Sequence, residues 1–129
     1  MEKEEFEKLI TEAVEALPAS IRKKMDNVDI VLEEGESPNN SLFGLYHGIP
    51  GTQRTPYYAG VLPDKITIWK GTIEKFAPRH ARGLSAGEDS DIIRKLVRRV
   101  VWHEIGHHFG FDEAKIRKLE KKWEKEGKV

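Results

Sequence analysis

Residues 100–116 read VVWHEIGHHFGFDEAKI. His103 and His107 lie four positions apart in this stretch, and Glu104 follows the first histidine directly. Residues four apart share one face of an α-helix, so both imidazoles can reach a single ion. Glu104 is rotated by about 100° from His103, within reach of a water on that ion. The pattern therefore predicts a metal-binding helix rather than an ordinary amphipathic helix that happens to carry histidine.

Zinc is the ion that this donor set favours. Two imidazoles and a carboxylate form a tetrahedral zinc site with one position left for water, and the pKa of that water falls to about 7. The helix supplies the two histidines, so the remaining protein ligand has to come from beyond the end of that helix. We therefore predict a Zn²⁺ cofactor, with Glu104 as the general base that takes a proton from the water.

The residues after Gly110 are the candidates for the third ligand. Glycine adopts the left-handed backbone conformation that ends a helix and turns the chain back. In the extended pattern H-E-x-x-H-x-x-G-x-x-ligand, Glu113 holds the eleventh position and Asp112 the tenth. We predict Glu113 as the ligand and Asp112 as its nearest competitor, although Asp112 would also suit the N-cap of the last helix. More remote alternatives are Glu120 and Glu124, reaching back from that helix.

The composition is typical of a globular chain, and we predict one domain over residues 1–129. Its 22 basic residues balance 22 acidic ones, so no overall charge attracts nucleic acid or an anionic membrane. The sequence contains no cysteine, which excludes disulfides, thiolate ligands and a cysteine nucleophile. The first residues do not resemble a signal peptide, and no apolar run is long enough to span a membrane. We therefore expect a cytoplasmic protein that is monomeric or weakly oligomeric.

Hydrophobic periodicity predicts an α+β fold, in which a small mixed sheet packs on the long metal-binding helix between helices at both ends. Strands are predicted at 27–34, 42–46 and 64–70, and single helical turns at 21–25 and 71–78. The long helix is predicted from about Glu88 to Gly110, with Ser85 and Glu88 spaced as a capping box. The last helix, within 112–127, has few apolar residues and should lie on the surface. Segment 35–63 is a long loop, of the kind that tends to be functional.

The strand DKITIWK, residues 64–70, has two interpretations. Lys65 and Lys70 at its ends are typical of an exposed sheet edge, where charge discourages aggregation. An edge strand there would bind an extended peptide substrate through main-chain hydrogen bonds. The alternative is an interior strand of the sheet with no contact to substrate.

Several other residues have both a structural and a functional interpretation. His108 points about 100° away from His107, so we predict a supporting or surface role for it rather than ligation. His47 and His80 are expected on the surface. The loop tyrosines are expected to pack, with oxyanion stabilisation as the alternative; they are Tyr46, Tyr57 and Tyr58. A basic cluster on the long helix is expected to be solvated, with nucleic-acid contact as the alternative; it comprises Arg94, Lys95, Arg98 and Arg99.

Four stretches together resemble the small prokaryotic zincin-like metallopeptidases, whose signature is H-E-x-x-H-x-x-G-x-x-D; they are HEIGHHFGFDE (103–113), FGLYHGIP (43–50), LPDKITIWKGTIEKF (62–76) and IRKLVRRVVWHE (93–104). The resemblance covers about residues 5 to 120. It implies a zincin-like fold, zinc bound by His103, His107 and the eleventh motif residue, and Glu104 as general base. This sequence departs from the family pattern by having Glu113 where the family has Asp.

Two functions agree with the sequence. The first is a zinc-dependent metallopeptidase that hydrolyses a peptide or protein substrate through a metal-activated water. The alternative is a metal-binding or interaction module that lacks general peptidase activity or acts only with a specific partner. Glu104 distinguishes the two, because in an enzyme Glu104→Gln would abolish turnover and leave metal binding intact.

Overall fold

The structure, a computed structural model, describes residues 1–25, 27–39, 42–48, 64–80 and 86–129, without the side chains of 78–80 and 86–90. The elements of these residues are α1 (Lys3–Glu15), α2 (Ala19–Arg22), β1 (Val28–Glu33), β2 (Gly44–His47), β3 (Asp64–Trp69), α3 (Lys70–His80), α4 (Ala86–His108) and α5 (Glu113–Lys125). Helices at both ends enclose three short strands, and the predicted α+β class is confirmed. Among the described helices, none has the length and apolar character needed to cross a membrane.

The three described strands form one mixed sheet in the order β1-β3-β2. β1 runs parallel to β3, whereas β2 runs antiparallel to it. The alternating pattern of β3 places Ile66 and Ile68 on the core side, where both side chains are fully buried. The strand therefore joins the other two strands and anchors the sheet to the core.

The proposal that residues 64–70 form a peptide-binding edge strand is wrong, because β3 is hydrogen-bonded to a neighbour on each side. The positions of Lys65 and Lys70 have other structural explanations. Lys65 is exposed on the face of the sheet opposite the isoleucines. Lys70 begins α3 and pairs with Glu74 one turn later, with 2.7 Å between Nζ and Oε1. Among the described strands, the outer strand beside the long helix is instead β2.

Helix α4 forms the centre of the core. Val97 and Val101 are fully buried along its apolar face, and α1 packs against that face with Phe6 and Ala13. Between the two helices, the indole N–H of Trp102 donates to the carbonyl oxygen of Ala13 at 2.7 Å. This bond satisfies the single polar group of a buried tryptophan, as burial requires. The same helix that carries the histidines is thereby fixed in position.

Two elements differ from their predicted form. Helix α3 has eleven residues instead of one turn, because Ile73 and Ala77, four apart, are both buried. Helix α5 is less superficial than predicted, since Ile116 is fully buried. A Cβ atom on Gly106 would lie only 3.1 Å from Cγ1 of Ile116. The absence of a side chain at Gly106 therefore allows Ile116 to pack closely against α4. The capping box at Ser85 lies outside the described residues.

Gly110 ends the long helix as the sequence predicts. Its φ angle is +86°, its N–H donates to the carbonyl of His107, and the N–H of Phe111 donates to the carbonyl of Gly106. These two bonds make a Schellman motif, the common C-terminal stop that turns the chain away from the helix axis. The reversal brings the start of α5 back beside the last turn of α4.

Replacing Gly110 with alanine is expected to lower the free energy of unfolding by about 1–2 kcal/mol, because a Cβ atom is strained in the left-handed region. Urea denaturation of the two chains measures the difference. Gly35→Ala serves as the control, since a Cβ atom at Gly35 meets nothing within 4 Å. Equal stability of the two variants would show that the left-handed turn at Gly110 contributes nothing.

Candidate metal centre

The two histidines of the motif face each other on α4. Their Nε2 atoms are 3.3 Å apart, and each side chain is 27 % exposed. The four-residue spacing on a continuous helix produces this arrangement, as expected from the helical repeat. Two imidazole nitrogens are thus directed at one point at the protein surface.

A carboxylate from the next helix completes a triangle with these nitrogens. Oε1 of Glu113 lies 2.8 Å from Nε2 of His107 and 3.4 Å from Nε2 of His103. Asp112 is directed elsewhere: its Oδ1 accepts from the N–H of Lys115 at 2.8 Å and caps α5. The two acidic residues therefore divide the roles between them, with the cap at the tenth motif position and the converging carboxylate at the eleventh.

The triangle has the dimensions of one face of a zinc tetrahedron. Bonds of about 2.0–2.1 Å at tetrahedral angles separate ligand atoms by about 3.3–3.4 Å. Two of the three observed separations, 3.3 and 3.4 Å, match this value, and the third, 2.8 Å, is shorter. The donor set of two nitrogens and one carboxylate oxygen also suits zinc. The residues present therefore fit the metal, while their assignment as ligands stays a prediction.

Glu104 lies beside this triangle but in different surroundings. Its side chain is only 8 % exposed, and its carboxylate lies within 4.8 Å of the ring nitrogens of both histidines. The backbone N–H of Tyr46 donates to it, and burial raises its pKa, an effect that the two imidazoles oppose. Glu113 approaches the histidine nitrogens more directly. Proton transfer by Glu104, rather than ligation, therefore stays a prediction.

Strand β2 can approach Glu104 because Gly44 has no side chain. A Cβ atom at that position would lie 2.9 Å from Cγ1 of Val100 and 3.3 Å from Cγ of Glu104. The glycine therefore permits close contact between β2 and α4. This contact is what brings the Tyr46 N–H to the buried carboxylate.

Glu120 supports His103 from the side of the ring that faces away from the triangle. Its Oε1 lies 2.5 Å from Nδ1 of His103, and its Oε2 accepts from Nη2 of Arg99 at 3.0 Å. Burial raises the pKa of Glu120, but the hydrogen bonds from His103 and Arg99 outweigh burial and hold it below its ordinary value. A carboxylate only accepts, so Nδ1 carries the proton and Nε2 presents its lone pair to the triangle.

From the sequence, Glu120 is predicted only as a remote alternative ligand, and Arg99 is not predicted to belong to the site. For both residues, helical spacing in the sequence indicates a position near the site. Glu120 is seven residues after Glu113 and shares its face of α5, while Arg99 is four residues before His103 on α4. Arg99 is therefore an exception to the prediction that the basic cluster is solvated. It forms an ion pair with Glu120, whose carboxylate is nearly buried.

His108 is buried and not on the surface, with 2 % exposure. Its Nδ1 lies 2.9 Å from Oδ2 of Asp64, and the hydroxyl of Tyr46 donates to the same oxygen at 2.5 Å. These contacts tie α4, β3 and β2 together behind Glu104. His108 therefore has the predicted supporting role. The hydroxyl of Tyr46 is also used within the protein, in its hydrogen bond to Asp64.

His47 is exposed, whereas Tyr57, Tyr58 and the side chain of His80 lie outside the described residues.

Glu120→Ala is expected to weaken zinc binding about 10- to 100-fold, the usual effect of removing the hydrogen-bond partner of a metal-binding histidine. Competition with a fluorescent zinc chelator measures the affinity. Glu124→Ala is the matched control, since Glu124 is exposed on the same helix. An unchanged affinity in the Glu120 variant would exclude an orienting role for this carboxylate.

The fold and the site together define a zincin-type domain: a helix with the H-E-x-x-H motif, packed against a small mixed sheet, with a carboxylate supplied after a glycine turn. A protein-family model described as zincin-like metallopeptidase matches residues 21–123. The chain therefore belongs to the zincin-like metallopeptidase family, and the resemblance drawn from its motifs is confirmed. A search of the curated proteins found no match.

Proposed function

We propose that the protein is a zinc-dependent peptidase. The observation that carries this proposal is the triangle of His103, His107 and Glu113 with the buried carboxylate of Glu104 beside it. A structural zinc site is normally closed by four protein ligands, whereas a catalytic one has three and an open position. Three converging donors and an adjacent carboxylate are the arrangement expected of a hydrolase.

Zinc held by these three residues would polarise a peptide carbonyl and lower the pKa of a water to about 7. Glu104 accepts a proton from the attacking water and passes it to the leaving amine. The N–H of Tyr46 holds the carboxylate of Glu104 in place through a backbone bond, which does not depend on the tyrosine side chain. Glu120 orients the ring of His103 through its contact with Nδ1.

An adjacent cavity of about 370 Å³ offers a place for a substrate side chain. Its apolar walls come from β2 and the preceding residues and from α4: Leu42, Phe43, Leu96 and Val100. His103 and Glu104 form one end of the same cavity, and a volume of this order suits a bound group of small-molecule size. We propose that a substrate residue next to the cleaved bond is apolar and occupies this cavity.

The test is cleavage of a defined peptide mixture by the zinc-loaded chain, followed by mass spectrometry. The expected result is a set of new termini with an apolar residue on one side of the cleavage point. Removal of zinc with a chelator should stop the reaction, and added zinc should restore it. Cleavage that survives the chelator would contradict the proposal. A chain that binds one zinc and cleaves no peptide would favour the metal-binding module instead.

A further inference from the structure

A second cavity of about 400 Å³ lies away from the candidate metal centre, between the end of α1, the C-terminal half of α4, and α5. Aromatic and aliphatic side chains form its floor: Leu17, Trp102, Phe109, Phe111, Leu119 and Trp123. Four of them, Phe109, Phe111, Leu119 and Trp123, are only partly buried. Trp102 and Trp123 meet edge to face, with ring centroids 4.9 Å apart. We call this surface the tryptophan groove.

The groove and the metal centre use different faces of α4. At 100° per residue, Trp102, Ile105, Gly106 and Phe109 cluster on one side of the helix, and His103, Glu104 and His107 on the other. A ligand in the groove therefore does not contact the candidate catalytic residues. Whatever the groove binds is additional to a substrate at the metal centre.

The rim of the groove is basic, in a chain whose net charge is zero. Four lysines line it against one acidic residue; they are Lys24, Lys115, Lys122 and Lys128, with Glu126. Lys128 pairs with Glu126, and Lys115 lies 3.8 Å above the ring of Phe111. An apolar surface whose rim carries an excess of basic residues is typical of a site for an acidic partner.

The spacing of the lysines indicates what kind of anion fits. Lys115 and Lys122 are seven residues apart on α5, which corresponds to about 10.5 Å along the helix. Lys24 lines the groove from a different segment of the chain, after α2. A single carboxylate, such as the head of a fatty acid, cannot pair at once with lysines about 10.5 Å apart on α5 and with a third lysine on another segment. A peptide with acidic residues on either side of apolar ones can do so.

We infer that the tryptophan groove binds a segment of another protein in which two or three apolar residues are flanked by Asp or Glu. The apolar residues lie on Trp123, Phe109 and Phe111, which are partly exposed, because such aromatic surfaces carry most of the binding energy in protein interfaces. The flanking carboxylates pair with the rim lysines and set the orientation of the segment. Binding falls as salt is raised, because exposed ion pairs are screened.

A library of displayed random dodecapeptides, selected on the full-length chain, tests this inference. The expected outcome is enrichment of sequences with apolar residues between acidic ones. The affinity of a labelled selected peptide is then measured by fluorescence anisotropy. The double variant Lys24→Glu and Lys122→Glu should weaken binding about tenfold or more, since two attractive pairs become repulsive.

The matched control is the double variant Lys118→Glu and Lys121→Glu, which makes the same charge change at exposed positions outside the groove. It should change the affinity less than about twofold. The variant His107→Ala should bind the selected peptides as the wild type does, which separates the groove from the metal centre. No enrichment, enriched sequences without acidic residues, or equal loss in both lysine variants would overturn the inference. Loss of binding in His107→Ala would also overturn it.

Discussion

Glu104→Gln is expected to leave one zinc per chain and to lower kcat about 10²- to 10⁴-fold, the range that a positioned general base contributes. The amide has nearly the shape of the carboxylate, and its oxygen still accepts from the N–H of Tyr46. It cannot take a proton from water. The variant therefore removes the chemistry of the side chain while keeping its place next to His103 and His107.

Steady-state cleavage of the best peptide from the mixture measures this effect, together with zinc content for each chain. Glu124→Gln is the control, because it makes the same change at an exposed position of α5. If the Glu104 variant cleaved the peptide at the wild-type rate, proton transfer by this residue would be excluded. If zinc were lost along with activity, Glu104 would be a ligand, as its distance of less than 4.8 Å from the histidine nitrogens allows.

His107→Ala is expected to weaken zinc binding by more than the 10- to 100-fold loss predicted for Glu120→Ala, because it removes a proposed ligand and not the partner of one. His107 makes the shortest contact with Glu113, 2.8 Å from Nε2 to Oε1. Chelator competition compares the two variants on one scale. His47→Ala, at an exposed histidine on β2, controls for the loss of an imidazole elsewhere. A larger loss in the Glu120 variant would reverse the assigned roles.

The geometry of the site follows from local rules that act within a few residues, which is why the sequence could predict it. The spacing of His103 and His107 and the left-handed stop at Gly110 depend on one helix and its end. The same holds for the division of roles between Asp112 as cap and Glu113 as converging carboxylate. These predictions required the helical repeat, the conformational preference of glycine and the register of the extended motif, and nothing about the sheet.

Features of the fold and of the site that depend on tertiary contacts could not be predicted from local rules. The position of β3 between two partners follows from pairing with β1 and β2, and the lysines at its ends do not reveal it. The burial of His108 depends on Asp64, which is 44 residues away in the sequence. The support of Glu104 by the Tyr46 backbone requires the contact at Gly44. Pairings over such distances are set by packing, which residue patterns alone do not fix.

The most direct test of the zinc centre is elemental analysis of the zinc-loaded protein beside its His103→Ala and Glu113→Ala variants. We expect one zinc per chain in the wild type and its loss in both variants, because both residues contribute an atom to the same triangle. A wild-type chain without zinc would contradict the metal centre itself. Zinc retained at full occupancy in Glu113→Ala would show that the third ligand is another residue.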